Sequence, residues 1–170
     1  CDITDSNAIT ALFMGIQEFM SGLDVLVNLA AIDAKVDQVE EGGLQGDFLD
    51  FPFEQLKQSF DVNIMSTIRL TQEALRLMVN GDGGQVINIA STYSLVSPNQ
   101  SLYRDSEGQQ KMIKPVDYVA SKSAIPNLTR YLATLYGRQG VRVNCLVPHA
   151  IVANPDDDFI REFERLSPLG

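Results

Sequence analysis

Cysteine, histidine and tryptophan are scarce in this sequence, which has two, one and none of them. Cys1 and Cys145 form no recognisable disulfide framework, and Cys145 lies within an apolar segment. We therefore expect both to be reduced thiols in a cytoplasmic protein. No run of apolar residues is long enough to cross a bilayer, and there is neither an internal repeat nor a low-complexity tract. These absences point away from a disulfide-stabilised scaffold, a membrane protein and a repeat protein.

Positive charge is also limited. The chain has 13 lysines and arginines against 22 aspartates and glutamates, giving a net charge of −9, and the basic residues do not cluster. We therefore expect neither nucleic acid nor an anionic membrane surface as a partner. The acidic residues concentrate in residues 37–50 and 156–158. We interpret these as a solvated loop and the start of a helix rather than a metal site.

Three short apolar segments rich in β-branched residues predict buried strands at residues 23–30, 85–91 and 141–148. A long amphipathic helix that opens with Pro52 is predicted between the first two strands, and a second helix, closed by Gly140, between the last two. This order of strands and helices predicts an α/β fold with a parallel sheet and covering helices. At 170 residues the chain suits a single domain.

The second helix carries Tyr118 and Lys122, which are four residues apart and therefore on one face. A lysine cation beside a phenol favours the phenolate, so we expect the pKa of Tyr118 to lie below its ordinary value of about 10. Such a tyrosine can exchange a proton with an alcohol or a carbonyl oxygen. The spacing alone is common, and the alternative is an amphipathic tyrosine beside a solvated lysine. Ser91, at the end of the strand 85–91, lies where α/β sheets bind their ligands.

Five motifs occur in a fixed order along the chain. They are Asn28-Leu-Ala-Ala31, Asn63 within Phe60-Asp-Val-Asn-Ile, Ser91, the pair Tyr118 and Lys122, and Arg142-Val-Asn-Cys-Leu-Val-Pro148-His149. Together they resemble the short-chain dehydrogenase/reductase family over essentially the whole chain. The resemblance implies a Rossmann-like, doubly wound parallel sheet, of which strands four to six are present. It also implies an NAD- or NADP-dependent oxidoreductase that interconverts a hydroxyl and a carbonyl on a small polar substrate, as a homodimer or homotetramer.

By the same resemblance, four residues are catalytic. Tyr118 exchanges the proton of the substrate hydroxyl, and Lys122 holds the charge state of that tyrosine and binds the nicotinamide ribose. Ser91 orients the substrate oxygen and stabilises charge developing on it. Asn63 binds a water that links Lys122 to solvent, and its unfavourable position inside a helix supports a functional reason for it. Ser91 also has a simpler explanation, as the cap of a turn after the strand.

The resemblance further implies a set of cofactor-binding residues. Asp2 and Ile3 would contact the adenine, whereas Asn28 lies beside the cofactor and also ties neighbouring strands together. The whole set is Asp2, Ile3, Asn28, Ala30, Ala31, Tyr118, Lys122, Pro148 and Ile151. No residue is expected to bind a metal.

The family's Gly-rich phosphate-binding turn has no counterpart in this sequence. Residues 1–5 resemble the segment that follows the family's third strand, and residues 166–170 resemble the segment before its last helix. We therefore expect residues 1–170 to form one Rossmann-like domain without the N-terminal Gly-rich part and the C-terminal strand. Either the chain is part of a longer protein, or it is a truncated, cofactor-free relative. The second alternative would make it a catalytically inactive subunit or interaction module.

Several positions depart from the family pattern. Ala31 and His149 stand where the family has glycine, and Ala153 stands where it has threonine. The polar segment 97–115 is longer than its counterpart, which predicts either a hydrophilic substrate or a surface loop. Short phrases in and around this segment are similar to a bacterial subgroup linked to nonulosonate (legionaminic-type) sugars and flagellin modification. That closer resemblance would make the substrate a sugar or a sugar nucleotide.

Overall fold

The computed structural model describes residues 1–20, 22–33, 46–149 and 157–167. Three strands lie within these ranges: β1 (Val25–Asn28), β2 (Gly84–Ile89) and β3 (Val141–Leu146). The α-helices are α1 (Ser6–Phe19), α2 (Phe53–Phe60), α3 (Ser66–Asn80), α4 (Val116–Tyr136) and α5 (Asp157–Leu166). Shorter turns of helix are a π-helical turn at Asp61–Met65 and 3₁₀ turns at Thr92–Ser94, Gln100–Tyr103 and Gly137–Gln139.

The strands form one parallel sheet in the order β1-β2-β3. This confirms the predicted α/β fold with a parallel sheet and the predicted order of its elements. Each strand is shorter than the apolar segment that predicted it, because the last residues of the segment leave the ladder and form the loop at the carboxyl end of the strand. Ser91 therefore lies two residues beyond β2 rather than within it.

The main core lies between one face of the sheet and the helices α1, α3 and α4. Leu26, Val86 and Val143 are paired across the three strands and pack into this core together with Phe13 and Leu75. On the other face of the sheet the apolar side chains are open to solvent: Val25, Val27 and Leu146 are 44%, 51% and 56% exposed. The alternation follows from the period of two along a strand, which turns neighbouring side chains to opposite faces.

The helix predicted to open with Pro52 is not a single regular helix. Pro52 caps it, α2 begins at Phe53, and a π-helical turn at Asp61–Met65 separates α2 from α3. Two hydroxyls bind carbonyls of this turn: Ser66 Oγ donates to Asp61 O at 2.7 Å, and Thr67 Oγ1 donates to Asn63 O at 3.0 Å. A wider turn of this kind is often found at functional sites, and here it contains Asn63.

The polar segment 97–115 is folded rather than an open loop. An antiparallel bridge joins Arg104 to Gln110, and Gln110 Nε2 donates to the carbonyls of Gln100 and Met112, both at 2.7 Å. Leu102, Tyr103 and Met112 form a small buried core of their own, on which Phe159 and Phe163 of α5 pack. Across the described ranges, no helix combines the length and apolar character needed to cross a membrane.

Candidate active site

Several of the predicted site residues lie at the carboxyl edge of the sheet. Ala30 and Ala31 follow β1, Ser91 follows β2 and Pro148 follows β3. The loops after β2 and β3 are tied together, because the backbone N–H and the hydroxyl of Thr92 both donate to Pro148 O, at 3.2 and 2.9 Å. Open α/β sheets bind their ligands at this edge.

Tyr118 lies in the first turn of α4, where a buried aspartate fixes its backbone. Asp117 Oδ1 accepts from Tyr118 N at 2.7 Å, and Asp117 Oδ2 accepts from Ser59 Oγ of α2. Because Asp117 and Ser59 are 1% and 0% exposed, this contact ties the start of α4 firmly to α2. These contacts fix the position of the Tyr118 backbone, and with it the position from which the ring extends.

The pKa of Tyr118 is raised from 10.0, chiefly by burial of the phenol and secondly by the negative charge of Asp33. A hydrogen bond with the Ser91 hydroxyl acts in the opposite direction. The prediction that Lys122 lowers this pKa is therefore wrong for this arrangement. Burial disfavours the charged phenolate, and Lys122 Nζ, 5.9 Å from the centre of the ring, does not reverse that effect.

Lys122 is almost completely buried, at 4% exposure, one turn further along α4. Its ammonium group donates to Ile89 O, the last carbonyl of β2, at 2.8 Å. Burial lowers its pKa, since desolvation penalises the ammonium form. An ammonium group has three N–H donors. One of them is assigned to a protein acceptor within the described part of the chain, so Lys122 can also donate to a ligand.

Ser91 has the capping role that its sequence position suggested, and its catalytic role stays a prediction. It caps the 3₁₀ turn at Thr92–Ser94, where its Oγ accepts from Tyr93 N at 3.2 Å. The Ser91 side chain also lies beside the Tyr118 phenol, where it lowers the pKa of that group. The structure thus brings Ser91, Tyr118 and Lys122 together as one cluster, although residues 91 and 118 are far apart in sequence.

Asn63 lies beside this cluster as a clamp between three segments. Its Oδ1 accepts from Ile32 N at 2.8 Å, and its Nδ2 donates to Ile32 O at 3.1 Å and to Ser121 Oγ at 2.9 Å. The side chain is 1% exposed. It therefore joins the loop after β1, the π-helical turn and α4. The predicted water that would link it to Lys122 stays a prediction.

Asn28 belongs to a chain of buried polar groups that crosses the sheet. Its Nδ2 donates to Thr71 Oγ1 at 3.0 Å and to Asn88 Oδ1 at 2.8 Å, and Asn88 Nδ2 donates to Thr129 Oγ1 at 3.0 Å. This supports the part of its predicted role that ties neighbouring strands together. Asn28 Oδ1 is buried and has no hydrogen-bond partner among the described residues.

The carboxyl edge fits a nicotinamide cofactor. Ala30 and Ala31 are small and exposed where a ligand would cross the sheet, and the Lys122 ammonium group has donors to give to ribose hydroxyls. Asp2 and Ile3 lie before α1, where Asp2 Oδ1 accepts from the backbone and the hydroxyl of Thr4, both at 2.8 Å.

Two predicted positions, Ile151 and Ala153, lie outside the described residues. His149 is exposed; its Nδ1 is 3.3 Å from Thr92 Oγ1 and its ring lies 4.9 Å from that of Phe163. This is a contact on the rim of the site. In the ranges that the structure describes, no group of three or more metal-ligating side chains is found.

Three side chains at the site were given no role there by the sequence motifs: Asp33, Tyr93 and Lys114. Lys114 forms an ion pair with Asp33, and its Nζ lies 4.3 Å from the centre of the Tyr118 ring and 5.9 Å from that of Tyr93. The signal in the sequence was the spacing of Lys114, four residues before Tyr118 as Lys122 is four residues after it. Pro115 conceals that signal, because it marks a helix boundary between the two residues.

A separate open cleft of about 660 Å³ lies at the opposite edge of the sheet, where the strands begin. Asp24, Gly84, Gly140 and Arg142 are among the residues that line it. It contains none of the predicted site residues, and ligands of parallel α/β sheets bind at the other edge.

Comparison with known proteins identifies related chains. A family model described as enoyl-(acyl carrier protein) reductase matches residues 1–170. The 2,5-dichloro-2,5-cyclohexadiene-1,4-diol dehydrogenase of Sphingobium indicum is 30% identical over 153 residues, which cover 89% of this chain and 52% of that protein. Zerumbone synthase of Zingiber zerumbet is 26% identical over 164 residues, which cover 96% of this chain and 53% of that protein. The chain thus spans about half the length of these relatives.

Solved structures give the same result. A short-chain dehydrogenase from Leptospira borgpetersenii with bound NAD⁺ superposes with a TM-score of 0.85 at 28% identity, covering 100% of this chain and 60% of that one. A gluconate 5-dehydrogenase from Burkholderia cenocepacia, in complex with NADP and tartrate, has a TM-score of 0.71 at 20% identity over 95% of this chain and 52% of its own, a likeness of fold alone. Since a family model matches all 170 residues, the chain belongs to the short-chain dehydrogenase/reductase family.

Proposed function

We propose that this chain is the catalytic part of an NAD- or NADP-dependent oxidoreductase that interconverts a hydroxyl and a carbonyl on a small polar substrate. The observation that carries the proposal is the convergence of Ser91, Tyr118 and Lys122 at the carboxyl edge of a parallel sheet. Several relatives are dehydrogenases, and the structural neighbour with TM-score 0.85 holds NAD⁺.

In this proposal a bound nicotinamide supplies or accepts the hydride, and the chain moves the proton. The Tyr118 phenol donates its proton to the substrate oxygen in the direction of reduction and removes it in the direction of oxidation. Ser91, which lies beside the phenol, holds the same oxygen and stabilises negative charge on it. Lys122 gives its remaining donors to ribose hydroxyls, while its positive charge favours the phenolate.

The pKa directions bear on the protonation state from which Tyr118 starts. Burial raises the pKa of Tyr118 and lowers that of Lys122, so the phenol holds its proton over a wide pH range. A protonated phenol is ready to act as the general acid of carbonyl reduction. Oxidation needs the phenolate and is therefore expected to require higher pH.

The nature of the substrate is proposed from the rim of the site. Asp33, Tyr93, Lys114 and His149 surround the catalytic cluster with charged and hydrogen-bonding groups. Such a lining suits a hydroxylated substrate, such as a sugar or a sugar nucleotide, because each hydroxyl left without a partner would cost binding energy. A cytoplasmic location agrees with its free cysteines.

A homodimer or homotetramer is also proposed. Phe53 at the start of α2 and Met65 in the π-helical turn are large apolar side chains that are 74% and 57% exposed. Exposed apolar residues of this size are enriched at subunit interfaces. Ile64 and Leu132, at 9% and 8% exposure, are instead buried in the core of this chain.

The test uses the full-length protein with NAD(H) and NADP(H). We expect cofactor binding and turnover, and we expect Tyr118→Phe to lower kcat by about 10²–10⁴ while cofactor affinity is kept, since only the proton donor is removed. Tyr131→Phe is the matched control, because Tyr131 is on the same helix and 61% exposed. Retained turnover in Tyr118→Phe would refute the role of Tyr118. A full-length protein that binds neither cofactor at millimolar concentration would instead be an inactive subunit.

A further inference from the structure

Lys114 and Asp33 form an ion pair directly beside the Tyr118 ring. The Lys114 side chain is only 8% exposed, and its Nζ lies 4.3 Å from the centre of the ring. Asp33, which is 42% exposed, is the partner of this ammonium group. A cation over the face of an aromatic ring is attracted by the negative potential of that face. Tyr118 therefore faces a positive and a negative charge that do not belong to the Tyr118–Lys122 pair.

Both members of this ion pair lie in anchored segments of the chain. The folded segment 97–115 fixes Lys114, whose backbone N–H donates to Gln100 Oε1 at 2.9 Å just before α4 begins. On the opposite side, Asp33 follows Ile32, which Asn63 binds through both its N–H and its C=O. Positions anchored in this way can keep a fixed distance to a ring, as a flexible surface ion pair would not.

Lys114 is the nearer of the two lysines to the Tyr118 ring. Lys122 Nζ lies 5.9 Å from the centre of the ring and donates to Ile89 O, whereas Lys114 Nζ lies 4.3 Å from it. The Coulomb interaction falls with distance, so Lys114 is the cation that interacts more strongly with the ring itself. The titratable, charged and hydrogen-bonding groups that face Tyr118 from the packed elements are Asp33, Ser91, Tyr93, Tyr103, Lys114, Asp117 and Lys122.

We propose that Lys114 and Asp33 are opposed positioning residues, whose opposite charges beside the Tyr118 phenol set how readily it gives up its proton. This deepens the proposed function and rests on it, because it concerns the same acid–base group. Lys114 favours the phenolate and Asp33 opposes it. The segment 97–115 thus contributes to the chemistry of the site as well as to its rim.

The proposal predicts opposite effects for the two residues. Lys114→Met removes the cation and is expected to raise the pKa of Tyr118 by about one pH unit, as expected for a partly buried charge at this distance. Asp33→Asn removes the anion and is expected to lower the same pKa. Lys114→Arg keeps the charge and is expected to leave the pKa close to that of the wild type. General damage to the fold would move both variants in one direction.

The experiment is a pH titration of the full-length protein by NMR with tyrosine labelled at the ring carbon bearing the hydroxyl. The Tyr118 signal is assigned by its loss in Tyr118→Phe. Lys111→Met is the matched control, because Lys111 lies in the same segment but pairs with Asp158 of α5. We expect it to leave the Tyr118 titration unchanged. This readout needs no turnover, so an inactive enzyme and a wrong account of Lys114 are distinguishable.

The outcome that overturns the proposal is a Tyr118 titration that is the same in wild type, Lys114→Met and Asp33→Asn, or one that moves in the same direction in both variants. Should Lys114→Met fail to fold, Asp33→Asn and Lys114→Gln provide the same comparison. With an active enzyme, the pH profile of kcat is expected to shift in the same two directions as the NMR titration, with a smaller effect on KM. A change in KM alone would indicate substrate contact and refute the positioning role.

Discussion

Asn63→Ala tests whether the site depends on the clamp between the loop after β1 and α4. The side chain of Asn63 is 1% exposed and makes three hydrogen bonds, two with the backbone of Ile32 and one with Ser121 Oγ. Alanine removes all three and leaves the N–H and C=O of Ile32 and the hydroxyl of Ser121 without these partners. Ser121→Ala is the matched comparison, because it removes one of the three bonds, together with the bond from Ser121 Oγ to Tyr118 O, and leaves the contact with Ile32 intact.

The expected magnitude follows from those contacts. A hydrogen bond between neutral groups contributes a net stabilisation of about 1 kcal/mol, and an unsatisfied buried group costs about 1–3 kcal/mol. Water entering beside the partly buried Ile32 offsets some of this cost. We therefore expect Asn63→Ala to lower the free energy of unfolding by about 3 kcal/mol and Ser121→Ala to lower it by about 1 kcal/mol.

Urea unfolding of the full-length protein measures both costs, and amide hydrogen exchange locates them. In Asn63→Ala the Ile32 amide is expected to exchange about 10²-fold faster or more, because the acceptor that protects it is gone. Amides in the centre of β2 should keep their relative protection. Equal costs for Asn63→Ala and Ser121→Ala, or an unchanged rate for the Ile32 amide, would refute the clamp.

Two glycines and one buried tyrosine give further expectations. Gly83 and Gly140 have positive φ angles of 89° and 77°. A Cβ added at Gly83 would lie 2.4 Å from Gly140 O, whereas a Cβ added at Gly140 would have its nearest neighbouring atom at 3.5 Å. By urea unfolding, Gly140→Ala should cost about 1 kcal/mol and Gly83→Ala at least about 1 kcal/mol more; equal costs would contradict this steric account. Burial raises the pKa of Tyr103 well above 10.0. Above pH 10 the Tyr103 phenol therefore ionises in the unfolded chain but keeps its proton in the folded one, so the stability that is present below pH 10 is progressively lost above it. In Tyr103→Phe the fall in unfolding free energy above pH 10 should be less steep by about 1.4 kcal/mol per pH unit, and the same slope in both proteins would show that Tyr103 is not the cause.

Much of the fold could be predicted because the relevant patterns are local. The three apolar segments predicted β1, β2 and β3, and their order predicted a parallel sheet. The boundaries were less accurate, since an apolar side chain is favourable both in a strand and in the loop that leaves it. Nothing in the sequence of residues 53–80 marked the π-helical turn at Asp61–Met65, because the apolar pattern continues through it.

The candidate site, like the fold, could be predicted from the sequence only in part. The sequence motifs identified Ser91, Tyr118 and Lys122, and the structure brings these three together. The motifs did not identify Lys114 and Asp33, which are 81 residues apart in the chain and meet only in the folded protein. They also gave the wrong direction for the pKa of Tyr118, because the spacing of two residues contains no information on how deeply either is buried.

The sequence by itself determined the elements that a short stretch of chain can specify: amphipathic helices, apolar strands and a tyrosine and a lysine on one helix face. Covalent geometry fixes the repeat of a helix and the alternation of a strand, so these follow from residue spacing. Only the tertiary structure decided which charges surround the phenol, how far it is removed from water and which carbonyl receives the lysine. Desolvation and Coulomb interactions act through space, and their sources here lie on segments far apart in the chain.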